Sequence, residues 1–434
     1  MKRQEIAHLT TWKQSPNRKP LIIRGARQVG KTWLIKEFGR REYQKCAYVN
    51  FEGNTRLKTL FTDDFDIRRI IQAVQIETGV SIEVNNTLII LDEIQEAPGA
   101  LTSLKYFQEN APEYHVISAG SLLGVALSNH NSFPVGKVEF MDLHPLNFME
   151  FLEALQENPL LDLLKSNDWP LIKNFKSRFI ELLKQYYYVG GMPEAVLSFL
   201  EKRDFKDVRA IQKRILLAYE QDFSKHAPND IVPRIRMLWN SIPAQLAKEN
   251  KKFIYGIIKQ GARAKDYELA MSWLIDCGLI HKVNRVTKPA IPLKAYEDFS
   301  AFKLFLVDVG LLTAMGDLDE KTLLEGSEIF EEFKGALTEQ YVLQQLVTQD
   351  DVPVYYWSAD NAKSEIDFLV QASGQVVPVE VKAEENLQSK SLKVYIQKYT
   401  PRTAIRTSMS DFRKEEWMIN LPLYAIGELI KVFS

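Results

Sequence analysis

The sequence predicts a multidomain α/β protein, and three observations carry that prediction. At 434 residues the chain is too long for one compact core. Short apolar runs alternate with amphipathic segments as far as about residue 150, the pattern of strands and helices taking turns. A glycine-rich loop, Gly25 to Thr32, stands between the first apolar run and a helical segment. Hydrophobic residues at 46% and charged residues at 26% are ordinary globular usage, so most of the chain should fold.

The elements follow in order. Leu21-Ile22-Ile23, Ala47-Tyr48-Val49, Leu88-Ile89-Ile90-Leu91, His115-Val116-Ile117 and Val138-Glu139-Phe140-Met141 read as strands of a parallel sheet, giving a first domain over 1–150. Residues 151–245 read as helical, with runs such as Phe148 to Leu155 and Phe205 to Tyr219 and a break at Gly190-Gly191-Met192-Pro193; a helical lid or linker is expected there. Over 246–320, Phe253 to Lys259 and Lys265 to Asp276 read as two helices joined near Gly261. Strands at Leu279 to Val286 and Leu304 to Val307 complete the plan of a winged helix. The last domain, 321–434, opens with a helix from Ile329 to Leu346. Strands at Val354 to Trp357, Ile366 to Val370 and Val376 to Val381 follow, then a helix from Ser391 to Tyr399.

Charge and cysteine usage exclude several classes. Lys and Arg number 55 against 56 Asp and Glu, so no global attraction to DNA or anionic lipid exists and any nucleic-acid surface must be local. Cys46 and Cys277 stand far apart and no histidine pair has metal-ligand spacing, which disfavours a disulfide framework or a structural zinc. A polar start and the lack of any long uncharged apolar stretch point to a cytoplasmic protein that does not span a membrane.

The strongest chemical signal is Gly25-Ala26-Arg27-Gln28-Val29-Gly30-Lys31-Thr32, which satisfies G-x-x-x-x-G-K-[ST] between a strand and a helix. Glycines let the backbone curl so that its N–H groups face phosphate, and the helix that follows offers its positive end. Lys31 is placed for the β and γ phosphates of ATP and Thr32 for Mg²⁺. Downstream, the buried run Leu88 to Leu91 ends in Asp92-Glu93. Asp92 suits the metal and Glu93 the attacking water, so the pair predicts hydrolysis. The next strand ends at Ser118-Ala119-Gly120-Ser121. Ser118 and Ser121 are candidates to sense the γ phosphate, or else to cap a helix from Leu122.

Two further constellations lie downstream. Lys251, Lys252, Lys259, Arg263 and Lys265 form a basic stretch suited to phosphate contacts with DNA, although Asp266, Glu268 and Asp276 on the following helix would repel phosphate. In the last domain, Glu339 on a helix precedes Asp367 on one strand and Glu380-Val381-Lys382 on the next. A two-residue turn at Ser373-Gly374 would set Asp367 opposite Glu380 and Glu365 opposite Lys382. Opposed carboxylates repel, so a Mg²⁺ held by Asp367 and Glu380, with Glu339 in or near its shell, would relieve them. Lys382 would then serve the water or the transition-state charge. The plain alternative is a surface ion pair between Glu365 and Lys382, with Asp367 facing water.

The phosphate loop, Leu91-Asp92-Glu93-Ile94-Gln95, Ser118 to Ser121 and His144-Pro145-Leu146-Asn147-Phe148-Met149-Glu150-Phe151 together resemble a family of prokaryotic AAA-type ATPases that carry an uncharacterised C-terminal domain. The resemblance continues through Gly190 to Glu194, Ala264 to Glu268, Cys277 to Ile280, Lys334 to Glu339 and Glu380 to Lys382, nearly the whole chain. It implies an ATPase activity and supports the winged helix; it places no arginine finger on a numbered residue. The last domain resembles the restriction-endonuclease-like fold, whose acid, acid-x-lysine motif is matched at Asp367, Glu380 and Lys382 and whose helix acid is matched at Glu339. Two functions follow as expectations. One is an ATP-driven machine that binds or cleaves DNA. The other is a nucleotide switch whose nuclease-like domain is inactive and binds a protein partner or a second copy of the chain.

Overall fold

The computed structural model describes residues 1–63, 65–121, 136–248, 251–325, 331–349, 352–359, 364–385 and 388–433. They divide into two compact units. One is Lys2–His144 with Asp276–Leu279; the other is Pro145–Ile275 with Ile280–Ser434 and Met1. Among the described residues no helix is long and apolar enough to cross a membrane.

The first unit is built on β1 (Leu21–Arg24), β2 (Lys45–Asn50), β3 (Thr87–Asp92), β4 (His115–Ala119) and β5 (Glu139–Asp142). They pair in the order β2-β3-β4-β1-β5, every pair parallel. All five coincide with the apolar runs in the sequence. β3 and β4 are buried at every residue because helices cover both faces of a parallel sheet. On one face Val49, Leu91 and Val116 pack with Phe61, Ile70 and Leu104 from the connecting helices. β4 lies between β1 and β3, with Ser118 level with Ile22 on one side and Leu91 on the other. The helix expected from Leu122 lies outside the described residues.

His115 opens β4 in a buried position, its Nδ1 2.6 Å from the Tyr43 hydroxyl and its ring edge-on to Trp12 and Tyr43. Burial, with Arg18 and Lys13 adding, pushes its pKa down to about 4. The unfolded imidazole takes its proton near pH 6.5, so in the window between about 6.5 and 4 only the unfolded state binds it. Stability is therefore present above 6.5 and lost as pH falls, with a slope approaching ~1.4 kcal/mol per pH unit. Thermal midpoints of the wild type should fall faster over that window than those of His115→Phe. Parallel profiles would exclude His115 as the titrating group.

The second unit begins with helices, among them Phe148–Ala154, Lys176–Val189, Pro193–Lys202, Phe205–His226 and Val232–Leu246. A mixed sheet follows: β6 (Ile280–Val286), β7 (Glu297–Leu306), β8 (Val354–Ser358), β9 (Glu365–Ala372), β10 (Gln375–Val381), β11 (Ile405–Ser408), β12 (Arg413–Lys414) and β13 (Ile419–Pro422). Their order is β12-β13-β11-β10-β9-β8-β6-β7, so the strands read over 246–320 share one sheet with those read over 321–434. The hairpin register holds. Ser373 and Gly374 both have positive φ, at 50° and 71°, and Val379 faces Phe368 as the two-residue turn requires. The helix expected from Ile329 is described from Glu331 to Leu346.

The Gly190-Gly191 break ends the helix Lys176–Val189 and also receives the carboxylate of Asp308. Gly191 N–H donates to Asp308 Oδ2 at 2.6 Å, and a Cβ on Gly190 would stand 2.2 Å from Asp308 Oδ1. Gly190 lies at φ 72°, ψ −165°, a region closed to residues with a side chain. Gly190→Ala should therefore lower the thermal midpoint by several degrees, through both strain and displacement of a buried carboxylate. A midpoint within a degree of wild type would contradict this packing.

Candidate functional site

The phosphate loop is shaped by two glycines. At Gly25, φ 144°, an added Cβ would lie 2.2 Å from the Leu143 carbonyl, so the loop turns directly beneath the strand end that follows β5. At Gly30, φ 96°, the chain enters the helix Lys31–Glu42. Between them Gln28 also has positive φ, 69°, and Ala26 and Val29 are buried. The loop is held from outside by Arg3, whose guanidinium donates to Val29 O at 3.2 Å and His144 O at 2.7 Å. Lys31 folds back onto the loop, donating to the carbonyls of Gly25 and Ala26 at 2.8 Å each. Burial pushes its pKa down to about 8, opposed by the charges of Glu93 and Asp92.

The end of β3 meets the start of that helix. Thr32 Oγ1 donates to Asp92 Oδ2 at 2.8 Å, and the Tyr48 hydroxyl donates to the same oxygen at 2.9 Å. Asp92 is buried, and burial together with that bond pushes the Tyr48 hydroxyl pKa up. Glu93 sits in the left-handed region, φ 51° and ψ 46°, a conformation that costs a side-chain-bearing residue free energy. Gln95 Nε2 donates to Glu93 Oε2 at 2.6 Å and Ser121 Oγ to Glu93 Oε1 at 3.3 Å. Ser118 Oγ is buried with no hydrogen-bond partner among the described residues. The structure thus brings Lys31 and Thr32 to Asp92 and Glu93, and Ser121 to Glu93. Arg3, Tyr48 and Gln95 escaped the sequence reading. No spacing rule marks Arg3, whereas Tyr48 was legible as the strand neighbour of Ile90, two residues before Asp92.

The second acidic constellation is arranged differently from the expectation. Glu339 and Asp367 do come together, but around lysines. Lys303 on β7 is fully buried, its Nζ 2.5 Å from Glu365 Oε1, 3.5 Å from Glu339 Oε2 and 3.9 Å from Asp367 Oδ1. It also lies 5.0 Å from the centre of the Tyr356 ring. Lys251 pairs with Glu339 Oε1 in a nearly buried contact. Lys251, read as a phosphate contact, is thus committed to Glu339; Lys259, Arg263 and Lys265 remain exposed. Burial would lower the Lys303 pKa, but Glu339, Glu365 and Asp367 raise it above its usual value. Asp367 is pushed up to about 8 by burial and then by the charge of Glu339. It is hydrogen-bonded to Glu339, which Lys251 and Lys303 hold below the usual carboxylate range despite its burial. Asp367 Oδ2 in turn accepts from Val381 N–H at 2.8 Å.

Glu380, buried, pairs with Lys382 at 3.2 Å and lies level with Arg406 on β11. The alternative pair of Glu365 with Lys382 does not form, because Glu365 is taken by Lys303 and Lys382 by Glu380. Among the described residues no group of three His, Cys, Asp or Glu side chains is arranged to hold a metal ion. Lys303 escaped the sequence reading, which began the strand one residue later. The available signal was a lysine inside the apolar run Ala301-Phe302-Lys303-Leu304-Phe305, which requires a buried counter-charge.

A parallel sheet with a phosphate loop after β1 and paired acids after β3 defines the first unit as a P-loop nucleotide hydrolase domain. Residues 17–152 match the AAA domain family, which makes it an AAA-type ATPase domain. Residues 180–322 and 334–425 match two domains of unknown function, DUF8612 and DUF4143. No curated protein matches the chain. Similar solved structures include the Walker-type ATPase PABY2304 of Pyrococcus abyssi, at 14% identity over 73% of this chain and 95% of that one, with a TM-score of 0.46. Others are the ORC1 protein of Aeropyrum pernix in complex with DNA (12% identity, 73% and 93% covered, TM-score 0.29) and Cdc6p of Pyrobaculum aerophilum (12%, 74% and 94%, 0.27).

One contact within the ATPase unit comes from far along the sequence. Gly278, φ 70°, lies against the loop, and a Cβ there would stand 3.1 Å from Ala26 N. Gly278→Val adds left-handed strain of roughly 1–2 kcal/mol and presses on the backbone that would face phosphate. We expect several-fold weaker binding of a fluorescent ATP analogue by this variant, and unchanged affinity would show the contact to be dispensable.

Proposed function

We propose that this chain is a Mg²⁺-dependent ATP hydrolase that works as a nucleotide-driven switch, its C-terminal domain serving interaction rather than cleavage. The observation that carries the ATPase chemistry is the meeting of Thr32 Oγ1 and Asp92 Oδ2, 2.8 Å apart at the mouth of the phosphate loop. Two hard oxygen donors at that spacing fit Mg²⁺, which keeps most of its waters and takes few protein ligands. When bound, the ion neutralises charge on the phosphates. Thr32 and Asp92 would hold it directly or through water.

Lys31 would leave the Gly25 and Ala26 carbonyls for the β and γ phosphates, exchanging two neutral acceptors for charged ones. Glu93 is the proposed base. Its carboxylate is oriented by Gln95 and Ser121 and so prepared to accept a proton from water attacking the γ phosphate. Ser118, on the strand between the loop and Asp92 and with no partner for its hydroxyl among the described residues, is the proposed γ-phosphate sensor. Between the two downstream readings, the commitment of Lys251 and Lys303 to carboxylates favours the switch over a DNA-cleaving machine. The interaction partner is a protein or a second copy of the chain.

Lys31→Ala should abolish ATP binding or turnover. Glu93→Gln should retain ATP binding while cutting turnover by about a hundredfold or more, the usual scale for loss of a general base. Phosphate release and equilibrium binding measured side by side separate the two effects, and near-normal turnover in Glu93→Gln would refute the base. Mg²⁺-dependent DNA cleavage by wild type that disappears in Asp367→Asn would overturn the switch reading.

A further inference from the structure

The restriction-endonuclease-like reading of the C-terminal domain implies a divalent metal on its clustered acids, and the residues present do not fit one. Three carboxyl groups, Glu339, Glu365 and Asp367, converge from the helix Glu331–Leu346 and from β9. The centre among them is filled by an ammonium group that reaches in from β7 and is wholly removed from solvent. A second ammonium, from Lys251, takes the remaining face of Glu339. The Asp367 carboxylate is also engaged through Oδ2 by the backbone of β10. Glu380, the other expected ligand, is paired with Lys382.

A dication set among these carboxyls would meet the Lys303 ammonium at close range, a repulsion twice that between two monovalent cations. Withdrawing Lys303 from the carboxyls would leave its charge uncompensated at a fully buried position.

We propose that Lys303 is the resident cation of this cluster: a built-in ammonium stands where a nuclease would place its metal, so the site is closed to divalent ions and the domain makes no hydrolytic cut. The inference deepens the switch reading and rests on it. It assigns the acidic residues a structural task, joining β7, β9 and the helix Glu331–Leu346 through one buried charge. Neutralising Lys303 would leave the carboxyls with Lys251 alone, an excess of negative charge that can be relieved by unfolding, by protonation or by taking up a metal.

The test uses the full chain, because Lys303 on β7 and its acids on the helix Glu331–Leu346 and β9 belong to separate stretches of sequence. Mn²⁺ binding is followed by electron paramagnetic resonance without nucleotide, in an Asp92→Asn background that silences the ATPase metal ligand. With Lys303 intact, no Mn²⁺ should be taken up at up to millimolar concentration, and the thermal midpoint should not respond to it. One equivalent bound, and lost in Asp367→Asn, would overturn the inference. That result without DNA cleavage would leave the switch reading standing.

Lys303→Met should lower the thermal midpoint by several degrees, and Mn²⁺ should restore part of the loss by filling the vacated centre. If that variant does not fold, Lys303→Met combined with Glu365→Gln and Asp367→Asn should, since the charge it compensated has been removed. A combined variant no more stable than Lys303→Met alone would sink the proposal. So would a folded Lys303→Met protein that keeps the wild-type midpoint.

Discussion

The second unit depends on the helix Glu331–Leu346, which is buried through polar side chains. Backbone groups that leave a sheet or start a helix must be paired when water is excluded, and an unpaired one costs about 1–3 kcal/mol. Here glutamines do the pairing. Gln340 both accepts from Leu306 N–H and donates to Leu306 O, at 2.8 and 2.7 Å, continuing the ladder where β7 ends. Gln344 accepts from Val309 N–H at 2.8 Å and donates to Tyr186 Oη and Asp308 Oδ2, both at 3.0 Å. Gln345 accepts from Phe148 N–H at 2.7 Å. One helix thereby fixes the end of β7, the Asp308 carboxylate and the start of the helix Phe148–Ala154. Glu339, on the same helix, extends the scheme from hydrogen bonds to charge.

That charge is what the acids clustered around Lys303 require. Carboxyls clustered in a partly dry space need a compensating cation, and an ion from solution and a lysine from a neighbouring strand are alternative solutions. The lysine is covalently attached and always present, so it contributes architecture. Breaking such a cluster by removing one partner is costly because the others are left buried and uncompensated. The raised pKa of Asp367 beside Glu339 belongs to the same balance, because two ammonium groups face three carboxyls.

The ATPase unit is governed by a backbone constraint. Gly25 passes beneath the Leu143 carbonyl, where a Cβ would clash, and Gly30 enters the helix at φ 96°, a conformation that residues with a side chain rarely adopt. The result is a loop whose Gly25 and Ala26 carbonyls hold Lys31. Asp92 then has two hydroxyl donors, Thr32 and Tyr48, which keep its carboxylate aimed at the loop.

Local chemistry in the sequence by itself determined the phosphate loop, the acids that follow β3, all five strands of the parallel sheet and the register of the β9–β10 hairpin. Each depends on residues near one another in the chain: glycine spacing, apolar runs and the Ser373-Gly374 turn. β11 and β13 escaped it because Arg406, Ser408 and Asn420 interrupt the apolar pattern while hydrogen-bonding to one another inside the fold. Only the tertiary structure decided what the downstream acids meet. Glu339, Glu365 and Asp367 are separated from Lys303 by dozens of residues and from Lys251 by more, and their meaning turns on which cation the packing delivers between them. Coulomb energy depends on distance and burial, and neither is written in sequence spacing once the partners sit on different strands.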